Sequence, residues 1–372
     1  MSVAPALRGR PELFISYERD MALLNTPAKR RGTVALLAVA VVLPMLLADD
    51  VLLLFASGFA LAVGAIGLNL VTGYAGQVSL GHAFFLGLGA YTAAVIGGEA
   101  GRTIGLGLPM VVWLPAAGLV TAFAGALVAP LALRLRGLYL AIMTLGLVFL
   151  GEHLFKEMRN VTGGVGVGRA AAPIELFGVS FTRTGEVFTG DQKAYWFMLV
   201  MLIVFGVCAR NLARSAVGRA FAAVRDRDVA AAVIGVSLTR QKVLAFVISS
   251  FYAGVCGALY YGLIGFIEPG SFNLLLSVQF VAMILIGGVA TISGSIAGAL
   301  FIALLPRFTQ ELPRYFDFIS ARATGGGLLT VFDIEAILYG LLVIGFLIFE
   351  PRGLFGIWVR IRNYWKQWPF SY

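Results

Sequence analysis

The chain alternates between long apolar runs and short segments rich in glycine or charge. The runs are continuously apolar rather than alternating, which is typical of membrane-spanning helices, since crossing the hydrocarbon core takes about 20 residues. The pattern predicts an all-α polytopic integral membrane protein with about ten transmembrane helices, and eight to eleven fit the run lengths. The third and ninth runs could instead be half-helices. The predicted spans are 33–48, 51–71, 83–97, 108–133, 138–155, 195–209, 243–267, 272–292, 295–310 and 333–350.

Basic residues are concentrated in every second connecting segment, which predicts the orientation of the chain. Arginines and lysines crowd the segment 1–32 and the loop 210–242, whereas the alternate segments, which would lie on the opposite side, together carry more acidic than basic residues. The positive-inside rule therefore favours an N-in, C-in arrangement. It predicts a cytoplasmic segment 1–32, a transmembrane domain 33–350 with an external loop 156–194, and a cytoplasmic tail 351–372.

The composition supports a membrane protein and narrows its partners. Hydrophobic residues make up 59% of the chain and charged residues 13%, with a mean hydropathy of +0.91, which excludes a soluble globular domain. The formal net charge is +9, but no basic stripe with interleaved aromatic residues accompanies it. We therefore expect membrane lipid as a partner and no nucleic acid.

The loop 210–242 is the largest predicted cytoplasmic segment. Its seven basic residues would make insertion into hydrocarbon cost on the order of 20 kcal/mol, so it stays in water. Residues 216–234 are predicted to form a helix with an alanine-rich face and a stop at Gly235. Two interpretations remain open, a solvated connector and a short helix that docks onto a cytoplasmic partner.

A polar, glycine-rich stretch, Gly73–Phe85, joins two predicted spans. Discontinuous hydrophobic segments of this kind indicate a translocation pathway, because irregular backbone in a membrane must line protein or water. An ordinary cytoplasmic turn is the alternative. The candidate pathway residues in this stretch are Gly73, Tyr74, Gly76, Gln77, Ser79, Gly81 and His82. A second polar-glycine break lies near 287–298.

Several kinds of chemistry are missing from the sequence. No Gly-Lys pair occurs, so a P-loop is excluded, and His82 has no carboxylate or nucleophile nearby in its own element. Cys208 and Cys256 lie in apolar runs, and too few further ligands accompany them for a metal site. We expect no catalytic site, no metal and no cofactor bound by the chain. Acidic residues lie near span ends, so the driving force for transport is expected from outside the chain.

Five motifs resemble the permeases of branched-chain amino acid ABC importers, the LivM/LivH group. They are GLNLVTGYAGQVSLGHAFFLGLGAYTAA (67–94), LRGLYLAIMTLG (135–146), VTGGVGVG (161–168), GRAFAAVRDRDVAAAVIGV (218–236) and FEPRGLFG (349–356). The last four match the LivM branch. The chain departs from the family at Ala290, where Gly is frequent, and at Ser295, where Pro is frequent.

The resemblance implies a permease subunit of the bacterial cytoplasmic membrane without its own ATPase. Its partners would be a second, LivH-type permease, two cytoplasmic ABC ATPase subunits that use ATP and Mg²⁺, and an extracytoplasmic substrate-binding protein. The loop 210–242 would carry the coupling helix that inserts into an ATPase groove. The residues that this implies for coupling are Gly218, Arg219, Ala220, Ala223, Arg225, Asp226, Ala230, Ala231 and Gly235.

The substrate implied by the resemblance is leucine, isoleucine or valine. Tyr91, Tyr139 and Thr144 lie on span faces that could line a mainly apolar pore, with ordinary helix packing as the alternative. Urea and short-chain amide importers have sibling permeases with a related core motif, so these substrates are an alternative. A second alternative is a stand-alone channel or facilitator for small neutral solutes.

Overall fold

The computed structural model describes residues 27–311 apart from 102, 136 and 186, residues 319–320, and residues 329–367. Most of the predicted cytoplasmic segment 1–32 and the last residues of the predicted tail lie outside this description. The described part is almost entirely helical. Its helices are α1 (Pro27–Val42), α2 (Asp49–Asn69), α3 (His82–Gly97), α4 (Met110–Arg134), α5 (Leu138–Glu157), α6 (Arg159–Thr162), α7 (Gly190–Arg214), α8 (Ala216–Asp226), α9 (Asp228–Val233), α10 (Leu238–Ile264), α11 (Leu274–Gly287), α12 (Ile292–Glu311), α13 (Val331–Phe349) and α14 (Gly353–Gln367).

Six helices of the described residues are long and apolar enough to cross a membrane, namely α2 with its continuation to Tyr74, α4, α5, α7, α10 and α12. A seventh span results if α13 and α14, which meet at a bend of 42°, are counted together. The all-α polytopic class is therefore confirmed, whereas the count of ten and the N-in, C-in orientation stay predictions.

The short helices differ in part from the predicted ones. Helix α3 has 16 residues, which fits the half-helix alternative for the third run. Helix α12 has 20 residues, so the same alternative for the ninth run is wrong. The second short helix corresponds instead to the eighth run. Helix α11 ends at Gly287 after 14 residues, which is a length of about 21 Å at 1.5 Å per residue.

Helices α2 and α10 form the centre of the bundle. They pack against each other, α10 also contacts α3 and α4, and α2 also contacts α7 and α12. Glycines permit the close crossings: a Cβ added at Gly254 would lie 2.1 Å from Thr121 Oγ1. Small residues at helix crossings of this kind are typical of membrane proteins.

One end of the bundle carries the segment between α5 and α7, within the predicted external loop 156–194. Strands β1 (Arg169–Ala170) and β4 (Phe266–Ile267) pair there in antiparallel fashion, as do β2 (Glu175–Leu176) and β3 (Val179–Ser180). The buried Arg169 guanidinium donates hydrogen bonds to the carbonyls of Ala94, Val161 and Ile104. A third pair, β5 (Ile319–Ser320) with β6 (Leu329–Thr330), is parallel and precedes α13. We call this end the loop end and the other, where residues 73–81 and 210–242 lie, the coupling end.

The predicted tail begins as an ordered element. Helix α14 turns away from α13, and Gly353 at its start has a φ of +63°. A Cβ at this position would lie 2.5 Å from the Ile286 carbonyl oxygen, so the tail is packed directly against the end of α11. Arg360 pairs with Glu350 at 2.7 Å across the bend.

Candidate functional site

The glycine-rich stretch after α2 forms a compact break in the helix path. The helix widens into a π-helical turn at Leu70–Tyr74 and then leaves helical geometry until α3 begins at His82. The Thr72 hydroxyl and the Gln77 amide close the break by bonding to the Gln77 and Val71 carbonyls. Gly76 has a φ of +68°, a conformation that favours glycine. The predicted irregular path is therefore present.

A buried asparagine fixes this break to a second one. Asn69 is 1% exposed, and its Oδ1 accepts a hydrogen bond of 2.8 Å from the Ala290 amide. Its Nδ2 donates to the Thr291 carbonyl and to Ser295 Oγ. The two polar-glycine breaks of the sequence, near 73–82 and 287–298, are thus brought together.

The two departures from the family pattern both lie at this contact. Ala290 has a φ of +59°, which is strained for an L-residue and explains why glycine would suit the position. Ser295 Oγ lies 2.7 Å from Asn69 Nδ2, so the serine adds a hydrogen bond that proline could not form.

The coupling segment folds as two helices rather than the predicted single helix over 216–234. Arg227, with φ −155° and ψ 97°, interrupts the helix between α8 and α9. The predicted stop is confirmed, because Gly235 has a φ of +88° directly after α9. Ser215 caps α8 by accepting a hydrogen bond from the Gly218 amide.

Arg225 connects the coupling segment to the break. Its Nη1 donates a hydrogen bond of 3.0 Å to the Gly73 carbonyl, and its Nε pairs with Asp226 at 2.9 Å. A Cβ added at Gly76 would lie 2.6 Å from Arg225 Cγ, so only glycine permits this approach. The structure therefore links one predicted coupling residue to two predicted pathway residues.

The other predicted coupling residues do not form a uniform alanine surface. Gly218 and Ala231 are buried, and Ala220 and Ala223 are half-buried. Arg219, Asp226, Ala230 and Gly235 are exposed. The apolar side chains most open to solvent on this segment are larger ones that sequence reasoning missed, namely Val229, Val233 and Ile234. Their clustering around α9, in a segment predicted to be aqueous, is the signal that could have found them.

The remaining pathway residues of the break are packed rather than open. The Thr144 hydroxyl accepts a hydrogen bond of 2.9 Å from the Leu80 amide, and a Cβ at Gly81 would lie 3.1 Å from the Thr144 carbonyl oxygen. Ser79 is buried and accepts from the Gly81 amide. His82 is 2% exposed at the start of α3, with its ring 4.8 Å from that of Phe280.

Three tyrosines from the prediction lie in different surroundings. Tyr74 is half-buried at the break. Tyr91 is buried near the loop end between the rings of Phe155 and Phe272, and its hydroxyl has no hydrogen-bond partner among the described residues. Tyr139 is 74% exposed on the outer surface of α5, so within this chain it does not join the other pathway residues.

Two cavities lie at opposite ends of the bundle. The outer cavity, of about 530 Å³ at the loop end, is bounded by α10, α11 and α13 and contains Glu268, Gln279 and Glu335 among tyrosine rings. The inner cavity, of about 240 Å³ at the coupling end, lies between residues 75–77, the α4–α5 connection and residues 224–228 with Lys242. Gln77 lines it and is 5% exposed.

Among the described residues, no group of three His, Cys, Asp or Glu side chains is arranged to hold a metal ion. Both cysteines are free, with Cys208 exposed and Cys256 buried. The arrangement consists of two helix breaks, a basic contact between them and the coupling segment, and a cavity at each end. Such features suit movement of a solute and of helices past one another.

Comparisons with known proteins also indicate a transport permease. Residues 51–348 match the family model described as the permease component of the branched-chain amino acid transport system. The chain is 33% identical over 321 residues to the LivM permease proteins of high-affinity branched-chain amino acid transport in Salmonella typhimurium and Escherichia coli, which covers 81% of this chain and 72% of each relative. It is 28% identical over 170 residues to the fructose import permease protein FrcC of Rhizobium meliloti, covering 44% of this chain and 45% of that one. No solved structure matches.

These matches extend over all six long spans and both helix breaks. The chain belongs to the family of branched-chain amino acid transport permeases and is a LivM-type, multi-pass protein of the cytoplasmic membrane.

Proposed function

We propose that this permease is one subunit of an ATP-driven importer for leucine, isoleucine and valine. It works with a second, LivH-type permease, two cytoplasmic ABC ATPase subunits and an extracytoplasmic binding protein that delivers the substrate. The ATPase subunits bind ATP and Mg²⁺, and this chain has no ATPase site of its own. The coupling end faces the cytoplasm in this proposal, as the positive-inside rule requires.

The contact between Arg225 and the break carries the proposal. Arg225 belongs to the segment 210–242 and donates its hydrogen bond to Gly73, at the end of a central helix. A push on α8 and α9 would therefore act directly on the break. Through Asn69 it would also act on residues 290–295, which begin α12. Packed helices transmit such a push as rigid-body shifts, because close-packed interiors do not deform continuously.

The outer cavity supports an amino acid substrate. The carboxylates of Glu268 and Glu335 suit the ammonium group of a zwitterion, and the surrounding tyrosine rings suit both that cation and an apolar side chain. The longer match to permeases named for branched-chain amino acids favours these substrates over the sugar of the fructose permease, whose match covers under half of this chain. Urea and short-chain amides lack the charged ends that two carboxylates would select.

The proposal is tested in proteoliposomes that contain the full complex, with ATP enclosed and binding protein outside. We expect uptake of labelled leucine against a gradient, and none when the permease is reconstituted alone. Arg225→Gln should lower uptake at least about tenfold while ATP hydrolysis continues, because loss of the link uncouples the two. Arg240→Gln, which removes an equal charge from an exposed position of the same segment, is the matched control. Equilibration of leucine by the permease alone would instead identify a channel.

A further inference from the structure

The inner cavity contains a polar group that the protein itself does not satisfy. Neither the amide oxygen nor the amide nitrogen of Gln77 has a hydrogen-bond partner among the described residues, although the side chain is 5% exposed. An unpaired buried polar group costs about 1–3 kcal/mol. A ligand that offers both an acceptor and a donor would satisfy the two ends of this amide.

The charges around the cavity are of both signs. Arg227 and Lys242 have side chains without a hydrogen bond or ion pair to any other described residue, and Lys242 is half-buried. Asp228 lies on the same rim, as does Asp226, which pairs with Arg225 at 2.9 Å. A basic pair suits a carboxylate, and the acidic pair suits an ammonium group, so the cavity fits a zwitterion.

The third part of the cavity wall is apolar. It consists of Leu135 and Leu140, on either side of the connection between α4 and α5, and of Val224 from α8. The volume of about 240 Å³ corresponds to roughly eight water molecules at about 30 Å³ each, which suits an amino acid the size of leucine. Charge, apolar wall and size thus agree on one class of ligand.

We infer that the inner cavity binds a free α-amino acid with an apolar side chain, the transported substrate after its release, and that the bound ligand inhibits transport. Its carboxylate lies toward Arg227 and Lys242, its ammonium toward the two aspartates, and its side chain against Leu140. Such a ligand contacts residues 75–77 and 224–228 together and braces the coupling segment against the break. Accumulated substrate then slows further import. The identity of the ligand rests on the proposed function.

The test uses the full complex in proteoliposomes, with ATP and increasing concentrations of unlabelled leucine enclosed and labelled leucine with binding protein outside. In the wild type, enclosed leucine at ten times its half-inhibitory concentration should lower the initial uptake rate about tenfold. Lys242→Gln should shift the half-inhibitory concentration upward at least about tenfold, with uptake into leucine-free vesicles unchanged. Arg240→Gln, two residues away and outside the cavity, should behave as the wild type. Enclosed 4-methylvalerate, which lacks the ammonium group, and isoamylamine, which lacks the carboxylate, should inhibit weakly.

Binding of labelled leucine to the detergent-purified complex, without the binding protein, is the second readout. Lys242→Gln should weaken this binding and Arg240→Gln should not. If the complex binds leucine in a way that depends on Lys242 but shows no leucine uptake, the proposed function would be contradicted, whereas ligand binding in the inner cavity would be supported. An uptake rate in the wild type that does not respond to enclosed leucine would overturn the inference, since an ATPase side chain or nothing would then occupy the cavity.

Discussion

Gly76→Ala is the substitution whose effect follows most directly from the structure, because it places a new Cβ next to Arg225. The added Cβ would lie 2.6 Å from Arg225 Cγ, 3.1 Å from its Cβ and 3.2 Å from its Cα. Rotation of the arginine side chain can move Cγ but not Cβ or Cα, so these two tight contacts remain and α8 must shift away from the break. The same residue is held at a φ of +68°.

The magnitude follows from two terms. An L-residue in left-handed geometry costs about 1–2 kcal/mol. Loss of the Arg225–Gly73 hydrogen bond costs about 1–2 kcal/mol, the lower part of the range for charged groups, since the arginine side chain is 37% exposed. Together these terms reduce the population of the linked conformation by one to three orders of magnitude, at about 1.4 kcal/mol per factor of ten. We take this as an upper bound, because α8 can shift.

The assay is ATP-driven leucine uptake in proteoliposomes, with ATP hydrolysis measured in the same vesicles. Gly166→Ala is the matched control, because Gly166 has a φ of +75° and open space where its Cβ would lie, at the loop end. It therefore carries the strain without the clash. We expect Gly76→Ala to lower uptake at least about tenfold relative to Gly166→Ala, with hydrolysis retained.

A double-mutant cycle completes the test. If Gly76→Ala acts by displacing Arg225, then in an Arg225→Gln background it should cause little further loss of uptake, and the two effects should be strongly non-additive. Additive effects, or uptake by Gly76→Ala equal to that of the control, would refute the reasoning.

Substitutions at three positions test the contacts of the two breaks by thermal unfolding of the detergent-purified protein. Asn69→Leu should lower the free energy of unfolding by about 1–3 kcal/mol, because the part-buried Ala290 amide loses its acceptor and the hydrogen bonds from Asn69 to Thr291 and Ser295 are lost; an unchanged midpoint would contradict a stabilising role for these hydrogen bonds. Ala290→Gly should raise that free energy by about 1 kcal/mol, because it relieves the strain at φ +59°, and a lower midpoint would count against this. Thr144→Val should cost about 1–2 kcal/mol through the unpaired Leu80 amide, whereas Thr144→Ser, which keeps the acceptor, should cost less than half as much.

Much of the helical architecture could be predicted from the apolar runs. Runs 51–71, 108–133 and 243–267 coincide with α2, α4 and α10 to within a few residues at most ends, because hydrophobic length alone determines a membrane span. The eighth run could not be resolved in this way. Its apolar residues continue past Gly287, and the helix ends there because Gly288 adopts a φ of +128° and a ψ of 113°, outside helical geometry.

The segments that form the candidate site could be predicted from the sequence, whereas the contacts between them could not. Glycines with one glutamine and one histidine in an apolar region marked the first break, and Gly235 marked the end of the coupling segment. Asn69 was missed, although it is the only amide side chain in its run, because its partners are more than 200 residues away. The break of the coupling segment at Arg227 was missed for a similar reason, since a helix interior and a helix junction have the same local composition there.

The contacts of Asn69 and Arg225 give a physical reason why acidic residues are not needed in the middle of the predicted spans. A proton-coupled carrier moves because an acidic group in mid-membrane changes its charge. In this chain the connected polar groups are a neutral amide, serine and backbone at the Asn69 contact, with one arginine at the coupling end. None of the groups at the Asn69 contact changes charge near neutral pH, so the contact can transmit a displacement and cannot initiate one. In the proposed complex the initiating change therefore enters through Arg225 and the exposed valines of α9, which are open to a partner subunit.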